Sequence, residues 1–210
     1  MFCFAAGVGA GVVAGICGGA GRCLAPRVRF SAGDARFCAE FVRVIHSIGT
    51  PYFSSVMLFD DVVRVLFPTA PWITRGEAAN FGVFMHDFWA MLTRWDSDEK
   101  IYMRECGSKP GMAVKFESPD GDKHPYALFR KLYRTWHVKI ASTALKFVTV
   151  NEKQTHCTMN ALTVLSKMLP IYPSTYKVFN ILNIRCDALV KREKGPNGNS
   201  RTALGLLADQ

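Results

Sequence analysis

Between Trp95 and Gly111 the chain reads WDSDEKIYMRECGSKPG, which gathers Asp96, Asp98, Glu99, Glu105 and Cys106 in a short span with Arg94 and Arg104 beside or among them. Carboxylates so close together could share general acid and base roles. With a thiol they could also hold a cation. Either chemistry needs an opposed partner or convergent ligands from another element, and the stretch carries neither signature. Position offers a structural reading instead. Asp96 or Ser97 can cap a helix, and Asp98 and Glu99 fall in its first turn, where carboxylates complement the helix dipole. Gly107 is suited to a left-handed C-terminal cap, and Pro110 bars continuation. Cys106 follows at the helix end that does not activate a thiolate.

Other chemistry-bearing residues are dispersed. His46, His86, His124, His137 and His156 lack the H-x-x-x-H and H-E-x-x-H spacings of a metal site. The seven cysteines form no C-x-x-C pair and their number is odd, which suits buried thiols in a reducing compartment. No Walker A or G-x-S-x-G motif occurs, and GVGAGVVAG lacks the strand that a dinucleotide fingerprint needs. No catalytic residue, cofactor or metal ligand is therefore expected. Trp136-His137 invites base stacking, but Trp136 falls on an apolar stripe and reads as core. Met57, Met85, Met91, Met159 and Met168 read as core filler.

The strongest binding signal is electrostatic. The chain has 210 residues and a formal charge of +9, from 26 basic and 17 acidic side chains. Such an excess favours a polyanionic partner: RNA, DNA or an anionic membrane surface. The helix expected over 125–150 concentrates it, with Arg130, Lys131, Arg134, Lys139 and Lys146 and no acid. Arg130, Lys131 and Arg134 project away from its aromatic stripe and Lys139 and Lys146 flank it, making a candidate phosphate-contacting face. The competing reading is a solvated face, or one paired with Asp60, Asp61 or Glu77 of a neighbour.

These residues must be positioned by helices, because apolar residues recur at three and four and hardly ever at two. Ser31 with Asp34 starts a helix whose stripe is Phe37, Phe41, Ile45 and Ile48, and Gly49 stops it. Thr50-Pro51 starts a second, with Phe53, Val56, Met57, Phe59, Val63 and Leu66 inward, ended by Pro68. Thr74 and Glu77 form a capping box for a helix carrying Ala78, Phe81, Met85, Phe88, Trp89, Leu92 and Trp95. Residues 107–124 form a loop with a Pro119-Asp120-Gly121 turn. In the 125–150 helix, Phe129, Leu132, Tyr133, Trp136, Ile140 and Phe147 line one side. Asn151 caps the next, with Met159, Leu162, Leu165, Met168 and Leu169, ended by Pro170 and Pro173. Ser174 caps another, with Val178, Leu182, Cys186 and Leu189 inward, and RTALGLLAD suggests a last short helix. The fold class is all-α, an array of antiparallel helices of about 15–25 residues joined by short loops. A closed bundle and a slab of α-solenoid both fit, and no internal repeat is visible.

Residues 1–21, MFCFAAGVGAGVVAGICGGAG, carry no charge and repeat glycine at positions 7, 11, 15 and 19. That spacing resembles a small-xxx-small membrane-helix face. Seven glycines weaken both the helix and its partition into lipid. A low-complexity leader or a mistaken translation start is favoured over an anchor, and a membrane partner is not expected. The expected organisation is this leader, a helical domain over 22–194, and a tail over 195–210.

Several stretches, in order, resemble the THO complex subunit 2 family in its C-terminal conserved region. They are RCLAPRVRFSAGDARFCAEFVRVIHSIGTPYFSSVMLFD, NFGVFMHDFWAMLTRWDSDEKIYMRECGSKPGM, FRKLYRTWHVKI and NALTVLSKMLPIYP. The resemblance covers about residues 22–190. It implies a solenoid segment of a non-enzymatic nuclear scaffold, in an assembly (THO/TREX) that couples transcription to mRNA processing and export. Implied partners are the other THO subunits, a DEAD-box ATPase of that pathway, and mRNA. Arg22, Arg27, Asp34, Trp95, Asp98, Trp136 and His137 match the pattern, and fold maintenance explains them equally well. Asn80 stands where the family is expected to have arginine, and Cys157-Thr158 where it has Ile-Arg. The alternative reading is a standalone basic RNA-binding helical domain.

Overall fold

A computed structural model describes residues 24–115, 121–148, 155–169 and 171–193. After a short helix over 24–30 (α1) come α2 (Ala32–Ile48), α3 (Ser55–Asp61), α4 (Arg75–Ser97) and α5 (Glu99–Glu105). They are followed by α6 (Tyr126–Phe147), α7 (Thr155–Met168) and α8 (Tyr176–Glu193). Among the described residues there is no strand, only one isolated antiparallel bridge between Ala113 and Lys123. The all-α class therefore holds.

Local chemistry sets most boundaries. Ser31 Oγ accepts the Asp34 N–H, and Gly49 closes α2 at φ 73°, ψ 48°, a left-handed conformation that costs glycine little. Thr74 and Glu77 form the reciprocal capping box at the head of α4. Asp98 is both the C-cap of α4 and the N-cap of α5, accepting the Lys100 N–H, a role expected for Asp96 or Ser97. Gly107 is not left-handed: α5 closes on Cys106 at φ −120°. The site still excludes a side chain, because a Cβ there would stand 2.6 Å from the Met103 carbonyl oxygen.

The second helix starts later and changes form. Thr50 is used by the α2 cap, its N–H and hydroxyl both reaching the Ile45 carbonyl, so Ser54 becomes the N-cap and α3 begins at Ser55. Pro68 does not end the segment. The α-helix widens to a π-helical turn over Val62–Leu66, then tightens to a 3₁₀ helix over Phe67–Trp72 that includes Pro68 and Pro71. Among the inward residues expected there, Met57 is 42% exposed. The 107–124 loop contains a 3₁₀ turn, Pro110–Met112. Helix α8 begins at Tyr176, one residue later than a Ser174 cap would place it, and the Ser174 N–H goes to His137 Nε2. Pro119, Asp120, Asn151, Pro170 and the 195–210 tail lie outside the described residues, as do residues 1–21.

Helix α4 is the hub, packed against α7 and α2 and touching α5 and α6. Its expected stripe, Ala78 through Trp95, is buried throughout. Gly82 permits the close approach to α7, since a Cβ there would lie 2.8 Å from Lys167 Cβ and 3.2 Å from Val164 Cα. Helix α7 is buried nearly all round between α4, α6 and the 3₁₀ segment, although Leu169 just after it is 45% exposed. Aromatic rings join the layers: Phe59 lies 5.4 Å from Phe88, 5.8 Å from Trp95 and 5.9 Å from Trp136.

One stripe is inverted. Phe37 and Ile48 of α2 are 49% and 70% exposed, and Phe41 and Ile45 are only partly buried. The face against the body consists of Ala35, Cys38, Ala39, Val42 and His46. Small side chains let α2 sit close to α4, so the larger apolar residues are turned outward.

Candidate functional site

The acidic stretch that could have done chemistry is engaged in holding helices together. Glu105 accepts from Arg94 Nη2 at 2.8 Å, Arg104 Nη2 at 3.0 Å and Trp95 Nε1 at 3.0 Å. These hydrogen bonds, Arg94 foremost, hold its carboxyl down at about 2. Asp96 accepts from Arg130 Nε at 3.2 Å, and its backbone carbonyl accepts from Tyr126 Oη at 2.7 Å, tying α4 to α6. Asp98 is a cap. Cys106 is buried, and desolvation pushes its thiol far up, away from nucleophilic form. Among the described residues no group of histidine, cysteine, aspartate or glutamate side chains could hold a metal ion.

Two histidines, read as dispersed in the sequence, are buried joints. His46 Nδ1 lies 2.7 Å from Ser55 Oγ and Nε2 lies 3.1 Å from the Glu105 carbonyl oxygen, so Nε2–H donates and Nδ1 accepts from the hydroxyl. His137 Nε2 accepts the Ser174 N–H at 3.0 Å, while Tyr172 Oη donates to the His137 carbonyl. Burial lowers both imidazoles to about 4. Nothing in hydrophobic periodicity distinguishes such a joint from a surface histidine.

The basic helix divides. Trp136 is core, 1% exposed, with Nε1 donating to Asp60 Oδ1 at 2.9 Å. Arg130 is held by Asp96 and lies over the Tyr126 ring at 5.6 Å. The acid that ion-pairs with a cation of this helix is thus Asp96 rather than Asp60, Asp61 or Glu77. Asp60 takes Arg64 and Trp136, and Glu77 is spent on its capping box. Lys131, Arg134 and Lys146 are exposed and Lys139 is half-buried. At about 1.5 Å per residue they span roughly 22 Å of helix, on a helix without a carboxylate.

A second cationic feature was not legible in the sequence. An open cleft of about 680 Å³ between α2, α4 and α5 is lined by Arg43, Arg94, Arg104 and Lys109, with Asp87 and Glu105. Its residues come from three helices and the segment after α5, so no local motif marks it.

The two departures from the expected family pattern have structural work. Asn80 Nδ2 donates to the Arg29 carbonyl at 2.9 Å, fastening α4 to α1. Thr158 Oγ1 donates to the Phe147 carbonyl at 2.6 Å, fastening α7 to the end of α6. Asn160, in the NALTVL stretch, donates to the carbonyls of Pro71 and Ile73 and fixes the 3₁₀ segment to α7.

Fold and site together define an all-α module: Glu105, Asp96 and the buried His46 and His137 join its elements, and its exposed faces carry apolar side chains and cations. The chain belongs to the Tho2 family, described as transcription factor/nuclear export subunit protein 2, whose profile matches residues 20–210. It is 34% identical over 178 residues to THO complex subunit 2 of Mus musculus and of Homo sapiens, an alignment that takes in 82% of this chain and 11% of each relative. It is 32% identical over 157 residues to THO complex subunit 2 of Arabidopsis thaliana, covering 74% of this chain and 8% of that protein. The chain thus spans about a tenth of the length of these relatives. No solved structure matches.

Proposed function

We propose that this chain is a non-catalytic scaffold segment of a nuclear THO/TREX-like complex coupling transcription to mRNA processing and export. It is a slab of a longer solenoid-like helical array that offers surface to other THO subunits and to the DEAD-box ATPase of that pathway. Its observational support is the use of its ionisable residues: Glu105, Asp96 and His46 bridge helices, and His137 ties α6 to the segment before α8. What is left for function is exterior surface, which is how a scaffold works. The α6 face of Lys131, Arg134, Lys139 and Lys146, with Arg130 at its edge, supplies the contact to mRNA phosphates.

Affinity purification after RNase treatment tests this reading. A scaffold retains several large THO subunits without RNA. The second reading, a standalone basic RNA-binding helical domain, is favoured by the same acid-free face of α6. It requires partners to be lost on RNase treatment and free RNA to bind at moderate salt. Loss of every subunit after RNase would overturn the scaffold proposal.

A further inference from the structure

Helix α2 presents to solvent the kind of stripe that helices normally bury. Phe37, Phe41, Val44 and Ile48 follow an i, i+4, i+7, i+11 pattern, with Phe37, Val44 and Ile48 being 49%, 40% and 70% exposed. The pattern runs about three turns, roughly 16 Å, which is the footprint of a short helix laid along it. Phe37 and Phe41 stack at 6.0 Å, and Arg27 covers one end of the stripe, 4.6 Å from the Phe37 centroid.

The border of this ridge carries more cations than acids. At 100° per residue, Arg36, Arg43 and Ser47 line one flank of the stripe, and Arg43 and Ser47 also line the cleft. Across that cleft stand Arg94 and Arg104, while the Lys109 ammonium donates to the Ser47 carbonyl near the end of α2. Of the nearby carboxylates, Glu105 is held by Arg94 and Arg104, Glu40 by Arg43, and Asp34 by Arg27 and the Ser31 hydroxyl, while Asp87, which also lines the cleft, is hydrogen-bonded to His86 Nδ1. The geometry points to an amphipathic partner helix whose apolar ridge seats on Phe37–Ile48 and whose carboxylates, along one edge, reach into the cationic cleft.

The competing occupants fit less well. Phosphates would use the cleft but leave Val44 and Ile48 uncovered, because nucleic acid has no use for an aliphatic ridge. A second copy of α2 would bring only carboxylates already paired within its own chain, so the cleft would stay unmatched. Charge complementarity at such an edge sets partner choice and register more than raw affinity. This inference rests on the scaffold reading, since it supplies one of the surfaces that reading requires.

The full chain is titrated with two designed helical peptides sharing a leucine ridge, one flanked by glutamate and its twin by lysine, with fluorescence anisotropy as readout. The glutamate peptide is expected to bind at least about tenfold tighter. Val44→Glu with Ile48→Glu should weaken it at least about tenfold, and Arg43→Glu with Lys109→Glu should reverse the preference between the twins. Val44 and Ile48 are exposed, so an unchanged melting temperature separates lost docking from unfolding. Equal binding of the twins would overturn the inference. So would unaltered binding by V44E/I48E, or a dimer in sedimentation that V44E/I48E dissolves. In RNase-treated purifications, a V44E/I48E chain that drops one subunit while keeping others supports the site. Recovery of an identical set by both chains sinks this site alone. Recovery of none by the unaltered chain sinks the scaffold reading, and the peptide titration then still decides the ridge.

Discussion

His46 Nδ1 lies 2.7 Å from Ser55 Oγ while its Nε2 faces the Glu105 carbonyl at 3.1 Å, so one buried imidazole joins α2, α3 and α5. Trp95 packs on the same ring at 4.7 Å. The joint works only with a neutral imidazole, because burial opposes the charged form and Lys109 adds to that opposition. A second such joint, His137, links α6 to the segment before α8.

Acid should therefore loosen the protein well before its carboxylates titrate. Unfolded histidine takes up a proton near 6.5, whereas folded His46 and His137 stay neutral down to about 4. Between those limits the unfolded state binds more protons, so stability falls as pH drops from about 6.5 towards 4. For His46 the full difference is about 3 kcal/mol by pH 4. His137 acts in the same direction. Glu105 acts in a lower window: its contribution is present above about 4.5 and is lost towards about 2. Urea unfolding at a series of pH values measures the slope. Replacing both imidazoles, His46→Asn with His137→Asn, should lower stability at neutral pH and flatten the slope between 6.5 and 4. An unchanged slope would remove the histidines from the account.

Two glycines of α4 should respond to alanine with opposite signs. In a helix interior, alanine is favoured over glycine by about 1 kcal/mol. At Gly76 nothing lies within 4 Å of the added Cβ, so Gly76→Ala should stabilise by up to that amount. At Gly82 the Cβ would meet Lys167 Cβ at 2.8 Å and the α7 backbone at 3.2 Å. Overpacking costs of about 1–3 kcal/mol then outweigh the propensity gain, and Gly82→Ala should lower the melting temperature. Thermal unfolding of the two variants side by side is the check, with equal shifts as the contrary result.

The sequence made the skeleton legible where local chemistry decides it. Ser31, Gly49 and the Thr74–Glu77 box needed no tertiary information, and neither did the aromatic stripes of α4 and α6. It misread α2 because that helix is apolar on two faces. Side-chain size favoured Phe37 and Ile48 as the buried set, whereas close packing against α4 required Ala35, Cys38, Ala39 and Val42. It missed the cleft and the histidine joints for a different reason. Arg43, Arg94 and Lys109 meet only once α2, α4 and the segment after α5 are packed, and a histidine bonded to a distant carbonyl looks like any other in one dimension.

Trp136 and Trp72 separate core from surface among the tryptophans. Trp136 is buried and hydrogen-bonded to Asp60, so Trp136→Ala should cost roughly 3–5 kcal/mol. Trp72 is 65% exposed, packed edge-on against Phe147 at 5.8 Å, and Trp72→Ala should cost about 1 kcal/mol or less. Chemical denaturation ranks them. A small loss at Trp136 would reopen a base-stacking role for it.

The salt dependence of RNA binding should distinguish cations that face solvent from the one that is spoken for. Each phosphate contact to single-stranded RNA contributes about 0.7 to the slope of log affinity against log salt. Reversing Lys131, Arg134, Lys139 and Lys146 together should therefore flatten the slope by up to about 3. Arg130 is different, because it neutralises Asp96 at 3.2 Å across the α4–α6 contact. Arg130→Gln should leave Asp96 without its cation and lower stability by about 1 kcal/mol or less, the range of a partly exposed pair, while the slope changes by less than one contact's worth. Electrophoretic shift of a single-stranded RNA over a range of salt concentrations gives both slopes. If the fourfold reversal leaves the slope unchanged, α6 is a solvated face, and the positive excess acts elsewhere on the molecule. If Arg130→Gln alone flattens it, the ion pair with Asp96 opens on binding, and the RNA-facing surface extends towards the start of the helix.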